Sequence, residues 1–169
     1  MSPWPRKVLR LMSGLGTLSL VGCAHQADFL AGMVQVGPDE RAPIHIATAD
    51  GEQIKIEGEA ADELRHIPQA VVRVQGQLKG RAPERHMAVE RYQIVDAGQG
   101  VIPHVGVLRW DAGRLVLLEG PEGPILELRG PGAKALQRSI GARAWVVGPI
   151  LGQDQLEVLA YGILRAATP

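Results

Sequence analysis

Few side chains in this sequence have chemistry suited to catalysis or metal binding, and their spacing argues against most such reactions. There is one cysteine, Cys23, and the one serine after it, Ser139, lacks the flanking glycines of a strained nucleophile turn. No two histidines have the spacing of a helical zinc site; they are His25, His45, His66, His86 and His104. We therefore expect no catalytic residue, no metal site and no cofactor.

Cys23 has a different possible role, as an acceptor of lipid. Three basic residues stand near the start of the chain, residues 11–21 are apolar with small residues among them, and Gly22 precedes the cysteine. This order ends in Leu20-Val21-Gly22-Cys23 and resembles the signal peptide and lipobox of bacterial lipoproteins. The apolar run is shorter than the roughly 20 residues that a membrane-spanning helix needs.

The resemblance implies that residues 1–22 are a lipoprotein signal peptide and that Cys23 becomes the lipidated first residue. Its sulfur and amine would carry palmitate-like chains, and several chains anchor a protein firmly in a membrane. Residues 23–30 would form the lipidated tether, in the cell envelope and facing the periplasm. Ala24 favours the outer over the inner membrane, because enterobacterial lipoproteins kept in the inner membrane carry aspartate there. The alternative is that Cys23 is simply a small buried side chain.

The composition after residue 22 argues against nucleic-acid binding. Removing residues 1–22 takes away three basic and no acidic residues, which leaves 15 Lys and Arg against 18 Asp and Glu. A nucleic-acid surface needs a basic stripe, and single strands also need aromatic platforms. Residues 44–57 and 114–129, which are predicted below to form the second and third strands of two repeated units, would present such a surface. They contain no aromatic residue. We expect no nucleic-acid partner.

The remaining sequence repeats itself. Residues 51–76 align without a gap onto residues 123–148, at an offset of 72, and seven of the 26 positions are identical. The similarity extends to both sides, with a connector before the last segment that is three residues shorter in the second copy. A repeat of this length indicates two copies of one structural unit.

Each copy has the pattern strand, strand, strand, helix, strand, strand. The alternation of apolar and polar residues is clearest in the third strand. There Ile54 and Ile56 of the first copy, and Leu126 and Leu128 of the second, are expected to face inward. The fourth strand is expected to stop at Gly76 or Gly148. The other predicted elements of the first copy are strands at 31–36, 44–48, 70–75 and 87–95 and a helix at 60–67; those of the second are strands at 105–110, 114–119, 142–147 and 155–164 and a helix at 132–140.

This order resembles the OB-fold, a five-stranded Greek-key barrel. The expected fold class is mainly β, with two tandem five-stranded OB-like barrels that each carry a short helix between strands 3 and 4. The domains would be residues 31–96 and 104–165, joined by a linker at 97–103. A pair of SH3-like barrels is the nearest alternative but would not need the helix, and a single β-sandwich would not explain the repeat.

Several polar residues are expected to face outward, away from the core. In the third strand of the second copy these are Glu127 and Arg129, and on the first helix they are Asp62, Glu63 and Arg65. His86, with Glu84 and Glu90, is interpreted as a solvated segment of charged residues. Tyr92 and Tyr161 occupy equivalent positions in the last strand, which favours a repeated structural role.

The sequence leaves two functions open. Strand parity places Trp145 and Val147 together on an outer face, and with Trp110 they form the candidate interaction surface; packing between the barrels is the alternative for both tryptophans. We expect a non-catalytic, membrane-anchored module that contacts an unidentified envelope protein or acts as a scaffold. The alternative is an OB-type module that binds an envelope glycan or another small polar ligand, which calls for an aromatic-lined groove with convergent polar groups.

Overall fold

The computed structural model describes residues 27–39, 41–98, 100–121 and 123–168, and they form a mainly β structure with two sheets. Two short helices and one 3-10 turn complete it. These elements confirm the mainly β class expected from the sequence. The predicted signal peptide, Cys23 and Ala24 lie outside the described residues.

Five strands of the first unit form a closed ring. Strand β1 pairs with both β2 and β4, and β5 lies between β3 and β4, which gives the order β1-β2-β3-β5-β4. All pairs are antiparallel except β3 with β5. The elements are β1 Asp28–Val36, β2 Ile44–Ala47, β3 Gln53–Glu57, α1 Glu59–Leu64, β4 Val71–Lys79 and β5 His86–Asp96.

Side-chain alternation builds the interior of this barrel. Ile54 and Ile56 of β3 are buried, and they pair directly with Ile46 and Ile44 of β2. Helix α1 adds the buried Leu64 to the same core. Because each fully buried aliphatic side chain contributes about 1.5–3 kcal/mol, this cluster is a main source of the barrel's stability.

The second unit forms an open sheet of seven strands in the order β10-β11-β8-β7-β6-β9-β12. Its core holds Leu108, Leu117, Leu126, Leu128 and Leu136. The elements are β6 His104–Asp111, β7 Arg114–Leu118, β8 Ile125–Arg129, α2 Gly130–Leu136, a 3-10 turn Gln137–Ser139, β9 Arg143–Val147, β10 Ile150–Leu151, β11 Gln155–Glu157 and β12 Ala160–Arg165. The sequence predicts a second five-stranded barrel, and this sheet instead remains open.

The second sheet has the same strand order as the first but two interrupted strands. At the offset of 72, β4 corresponds to residues 143–151, which are split into β9 and β10 at Gly148-Pro149. At an offset of 69, β5 corresponds to residues 155–165, which are split into β11 and β12. Proline has no backbone N–H to donate to a ladder, which accounts for the first break. Strand β11 still pairs in parallel with β8, as β5 does with β3.

One repeated glycine pair marks the point where these long strands bend. A Cβ on Gly76 would lie 2.1 Å from the Ala88 carbonyl oxygen, and a Cβ on Gly148 would lie 1.7 Å from the Glu157 carbonyl oxygen. Neither position can hold a side chain, because another backbone approaches too closely. In β4 the register with β5 shifts at this point, as in a β-bulge.

Two predicted boundaries in the first unit are wrong, and the predicted last strand of the second copy, residues 155–164, is two strands instead of one. Strand β4 does not stop at Gly76 but continues to Lys79, because the bulge lets its pairing with β5 resume. Strand β1 begins at Asp28, earlier than the predicted start at residue 31, so it takes in the end of the predicted tether at 23–30. The predicted helix between the third and fourth strands is present in both units.

Candidate functional site

A cleft of about 650 Å³ lies on the outer face of the first barrel; we refer to it as the barrel-one cleft. Its floor holds three side chains that are direct neighbours across strands: His45 pairs with Lys55 across β2 and β3, and Lys55 pairs with His86 across β3 and β5. The connector between β4 and β5, residues 80–85, forms its wall.

Charged groups of both signs line the barrel-one cleft. Lys55 donates to Glu57 over 2.9 Å, and this hydrogen bond holds the pKa of Glu57 below its ordinary value. Arg85 contacts Glu52 at 3.2 Å, just beside the cleft. Arg81 forms no ion pair with any residue the structure describes, so its guanidinium donors remain open to a ligand.

The connector explains why this cleft belongs to the first unit. Gly80 and Gly152 follow the fourth-strand segments at equivalent positions, both with positive φ. From there the chain reaches the fifth strand through residues 81–85 in the first unit, but through only residues 153–154 in the second. The three additional residues allow the first connector to stand over the outer face and form a wall.

A second cluster of polar side chains joins the two units. Glu63 of α1 is only 3% exposed, and it accepts a hydrogen bond from Arg143 of β9 over 2.6 Å. Arg165 of β12 contacts Glu59 at 2.6 Å and Glu63 at 3.5 Å. These arginines belong to the second unit and the glutamates to the first, so the cluster links the two units through buried charge.

Tyr92 completes this interface. Its hydroxyl donates to Glu63, and the Arg143 guanidinium lies 5.2 Å from the centre of its ring. Burial, and then the hydrogen bond to Glu63, raise the pKa of Tyr92 well above its ordinary value. Tyr161 occupies the equivalent strand position but is exposed. The two tyrosines therefore share a register position and differ in surroundings.

Trp145 lies between the units. Its side chain packs against the core of the first barrel, and its indole nitrogen is buried without a hydrogen-bond partner among the described residues. Leu164 of β12 is also part of that first core, with 1% exposed. Gly162 is the cross-strand neighbour of Trp145, and a Cβ there would come within 2.5 Å of the indole. Of the two predicted roles for Trp145, the structure shows packing between the units.

The structure keeps Trp145 and Val147 on one face of β9 and separates Trp110 from them. Val147 is half-buried beside Ala160, two residues along β9 from Trp145. Trp110 lies five residues beyond the Val105 partner of Trp145, about 17 Å along β6. It is 53% exposed and lines a separate depression at the end of the second unit.

Glu63 was wrongly predicted to lie on an exposed helix face, and Glu127 lies on the outer face as predicted but is buried there. Glu63 is covered because β9 and β12 of the other unit pack over the outer face of α1. Glu127 is 5% exposed because Arg114, Arg129 and Gln155 all contact its carboxylate. Glu63 is covered by residues about 80 and 100 positions away in sequence, whereas Glu127 is covered by Arg129 of its own strand as well as by Arg114 and Gln155. His86 likewise lines the barrel-one cleft beside Lys55 and is half-buried.

The described residues contain no group of three or more metal-ligating side chains that could hold an ion. They also contain no helix with the length and apolar character needed to cross a bilayer. No protein-family model matches the chain, and no curated protein matches its sequence. The described concave surfaces include the barrel-one cleft, the depression beside Trp110 on the second unit, and a cavity of about 360 Å³ at the charged interface between the units.

Proposed function

We propose that this protein is a lipid-anchored envelope module that binds a small polar ligand on its first barrel, without catalysis. The observation that carries the proposal is the barrel-one cleft, which has the size of a small-molecule site, about 300–1,000 Å³. His45, Lys55 and His86 form its floor, and the longer connector forms its wall.

Strand order supports an OB-like assignment for both units. The ring β1-β2-β3-β5-β4, with α1 between β3 and β4, has the organisation of a five-stranded Greek-key barrel. The second unit follows the same order, with its fourth and fifth strands interrupted. The fold alone does not identify a ligand, because this architecture supports many functions. The chemistry of the cleft must do so.

The cleft favours a ligand that carries both an anionic group and neutral polar groups. It presents the permanent cations Lys55, Arg81 and Arg85, of which Arg81 is unpaired among the described residues. Glu57 and Glu84 are nearby acceptors for ligand hydroxyl or amide groups. A guanidinium recognises carboxylate or phosphate through paired hydrogen bonds, so Arg81 is the residue expected to select the anion.

Membrane anchoring remains part of the proposal because of the lipobox resemblance. With Cys23 acylated, residues 24–27 would separate the lipid from the start of β1 at Asp28. A tether of this length would hold the first barrel close to the bilayer. The Cys23→Ser variant should shift from the membrane fraction to the soluble periplasmic fraction, and persistence in the membrane fraction would contradict lipid anchoring.

Ligand binding is testable by NMR on the full chain. Inorganic phosphate, citrate and N-acetylglucosamine serve as probes, and shifts confined to residues 45, 55 and 80–86 are the expected result for at least one anionic probe. Arg81→Ala should weaken that binding about tenfold, because it removes the unpaired guanidinium. Arg138→Ala removes an exposed arginine from the second unit and should change nothing. Absence of localised shifts with every probe would contradict the proposal.

A second candidate function, protein contact, is favoured by the outer edge of the open sheet. Strand β10 ends the sheet, and both of its residues, Ile150 and Leu151, expose much of their apolar surface. A free strand edge is a template for pairing with another chain. Leu151→Lys should abolish a contact of this kind and leave ligand binding on the first barrel intact, which separates the two functions.

A further inference from the structure

The end of the second unit carries a second concave surface, which we call the Trp110 depression. Its volume is about 240 Å³, and it is formed where β6 ends, β7 begins and β8 passes into α2. Its lining includes Trp110, Arg114, Arg129, Lys134 and the buried Glu127.

Glu127 holds the two arginines in place. Its carboxylate contacts Arg129 at 2.6 Å and Arg114 at 3.4 Å, and Gln155 donates to it over 3.2 Å. Each guanidinium has five N–H donors, so one contact to Glu127 leaves most donors available. Both arginine side chains are about half exposed. The arrangement thus presents two positioned cations, rather than two mobile surface side chains.

Trp110 contributes an aromatic side chain that the fold does not require. The corresponding residue of the first unit is Val36, which packs against the first core. Trp110 instead leaves about half of its surface exposed beside the arginines. Lys134 adds a third cation, and it has no ion pair within the described part of the chain. The charged groups of the depression are thus three cations and one carboxylate. The carboxylate, Glu127, is already paired with the two arginines.

An exposed indole beside positioned cations suits one class of ligand in particular. The apolar face of a sugar ring can pack on an indole, which has a large apolar surface and a polar edge. The arginines and Lys134 can then receive a carboxylate, since guanidinium groups bind carboxylates through paired, charge-assisted hydrogen bonds. We propose that the Trp110 depression binds an acidic sugar, and that it does so independently of the barrel-one cleft.

The test is isothermal titration of the full chain with D-glucuronate, D-glucose and sodium sulfate as separate probes. Glucuronate should bind, and glucose and sulfate should each bind at least about tenfold more weakly, because each lacks one of the two recognised features. Trp110→Ala and, separately, Lys134→Gln should each weaken glucuronate binding, the first by about tenfold. Neither side chain is buried, so both variants are expected to fold, which circular dichroism would verify.

The matched control is Arg109→Ala, which removes the exposed arginine next to Trp110 that does not line the depression. It should leave glucuronate binding unchanged, with every titration made in the Arg81→Ala background so that anion binding in the barrel-one cleft does not contribute. Equal binding of glucose and glucuronate would overturn the proposal, as would unchanged affinity in Trp110→Ala. No binding of glucuronate at about 10 mM, above the millimolar Kd of a weak small ligand, would also overturn it.

Discussion

At the third strand, the first unit carries Lys55 and Glu57 on its outer face, whereas the second carries Glu127 and Arg129 at the equivalent positions. The order of charges is reversed, while the inward residues between and beside them remain aliphatic. Core positions are restricted by volume and by close packing, and outward-facing polar positions are less so. The comparison indicates that the two units keep a common interior and present different binding chemistry.

The two units also differ in whether their sheets close. An uninterrupted β5 pairs with β3 at its start and with β4 along its length, and this closes the first ring. In the second unit, separate strands make these contacts: β11 pairs with β8, and β12 pairs with β9. The split leaves β12 free to place Leu164 in the core of the first barrel. Leu164 thus adds to the contacts of Trp145, Arg143 and Arg165 that join the two units.

The strongest test of this comparison uses one leucine from each helix. Leu64 and Leu136 are equivalent and buried, and Leu64→Ala or Leu136→Ala should each lower the free energy of unfolding by about 3 kcal/mol. Because Leu164 of the second unit is buried in the core of the first, both variants should shift a single urea transition, followed by circular dichroism. Lys134→Ala on the exposed face of α2 is the control. Two separate transitions, each moved by only one variant, would show that the units fold independently.

A smaller effect is expected from the charged interface. Arg143→Met removes the closest cation from Glu63, a buried carboxylate, and should lower the free energy of unfolding by about 2 kcal/mol. The loss is moderate because Arg165 remains at 3.5 Å. Arg138→Met, an exposed arginine without a described ion pair, should have little effect on the urea midpoint. If both variants behaved alike, Glu63 would not depend on Arg143.

The smallest effect concerns pH and separates the two equivalent tyrosines. The pKa of Tyr92 is raised in the folded state, so the folded protein keeps a proton that the unfolded chain releases above about pH 10. The stabilisation is complete below that pH and should fall above it by about 1 kcal/mol per pH unit. Urea midpoints between pH 8 and 11 would measure it. Tyr92→Phe should reduce the slope, whereas Tyr161→Phe should retain it; equal slopes in both would contradict a special role for Tyr92.

Local sequence pattern predicts much of the fold. Alternation at Ile54 and Ile56, or at Leu126 and Leu128, identifies the third strands because a strand exposes its two faces at a period of two residues. The helices follow from Ala61 and Leu64, spaced along one face, and from their equivalents in the second copy. These features depend only on neighbours along the chain. Burial of Glu63 depends on β9 and β12, which lie far away in sequence, and no local pattern could reveal it.

The candidate sites also combine features that local sequence indicates with features that depend on tertiary contacts. The prediction for Trp145 and Val147 rests on strand parity, which indicates a face of a sheet but not what covers it. Trp145 faces the other unit, and Trp110 lies at the end of a strand beside arginines from two other strands. A single feature of the sequence indicates the barrel-one cleft: the connector before the last strand is three residues longer in the first copy than in the second.

By itself the sequence determined the mainly β class, the repeated unit and the helix in each copy, because these follow from local periodicity and from the similarity of the copies. Tertiary structure decided that the first sheet closes and the second stays open, because closure depends on whether one continuous strand can pair with two others. It also decided which polar residues meet. Lys55 and His86, or Trp110 and Arg129, become neighbours only when strands distant in sequence come together.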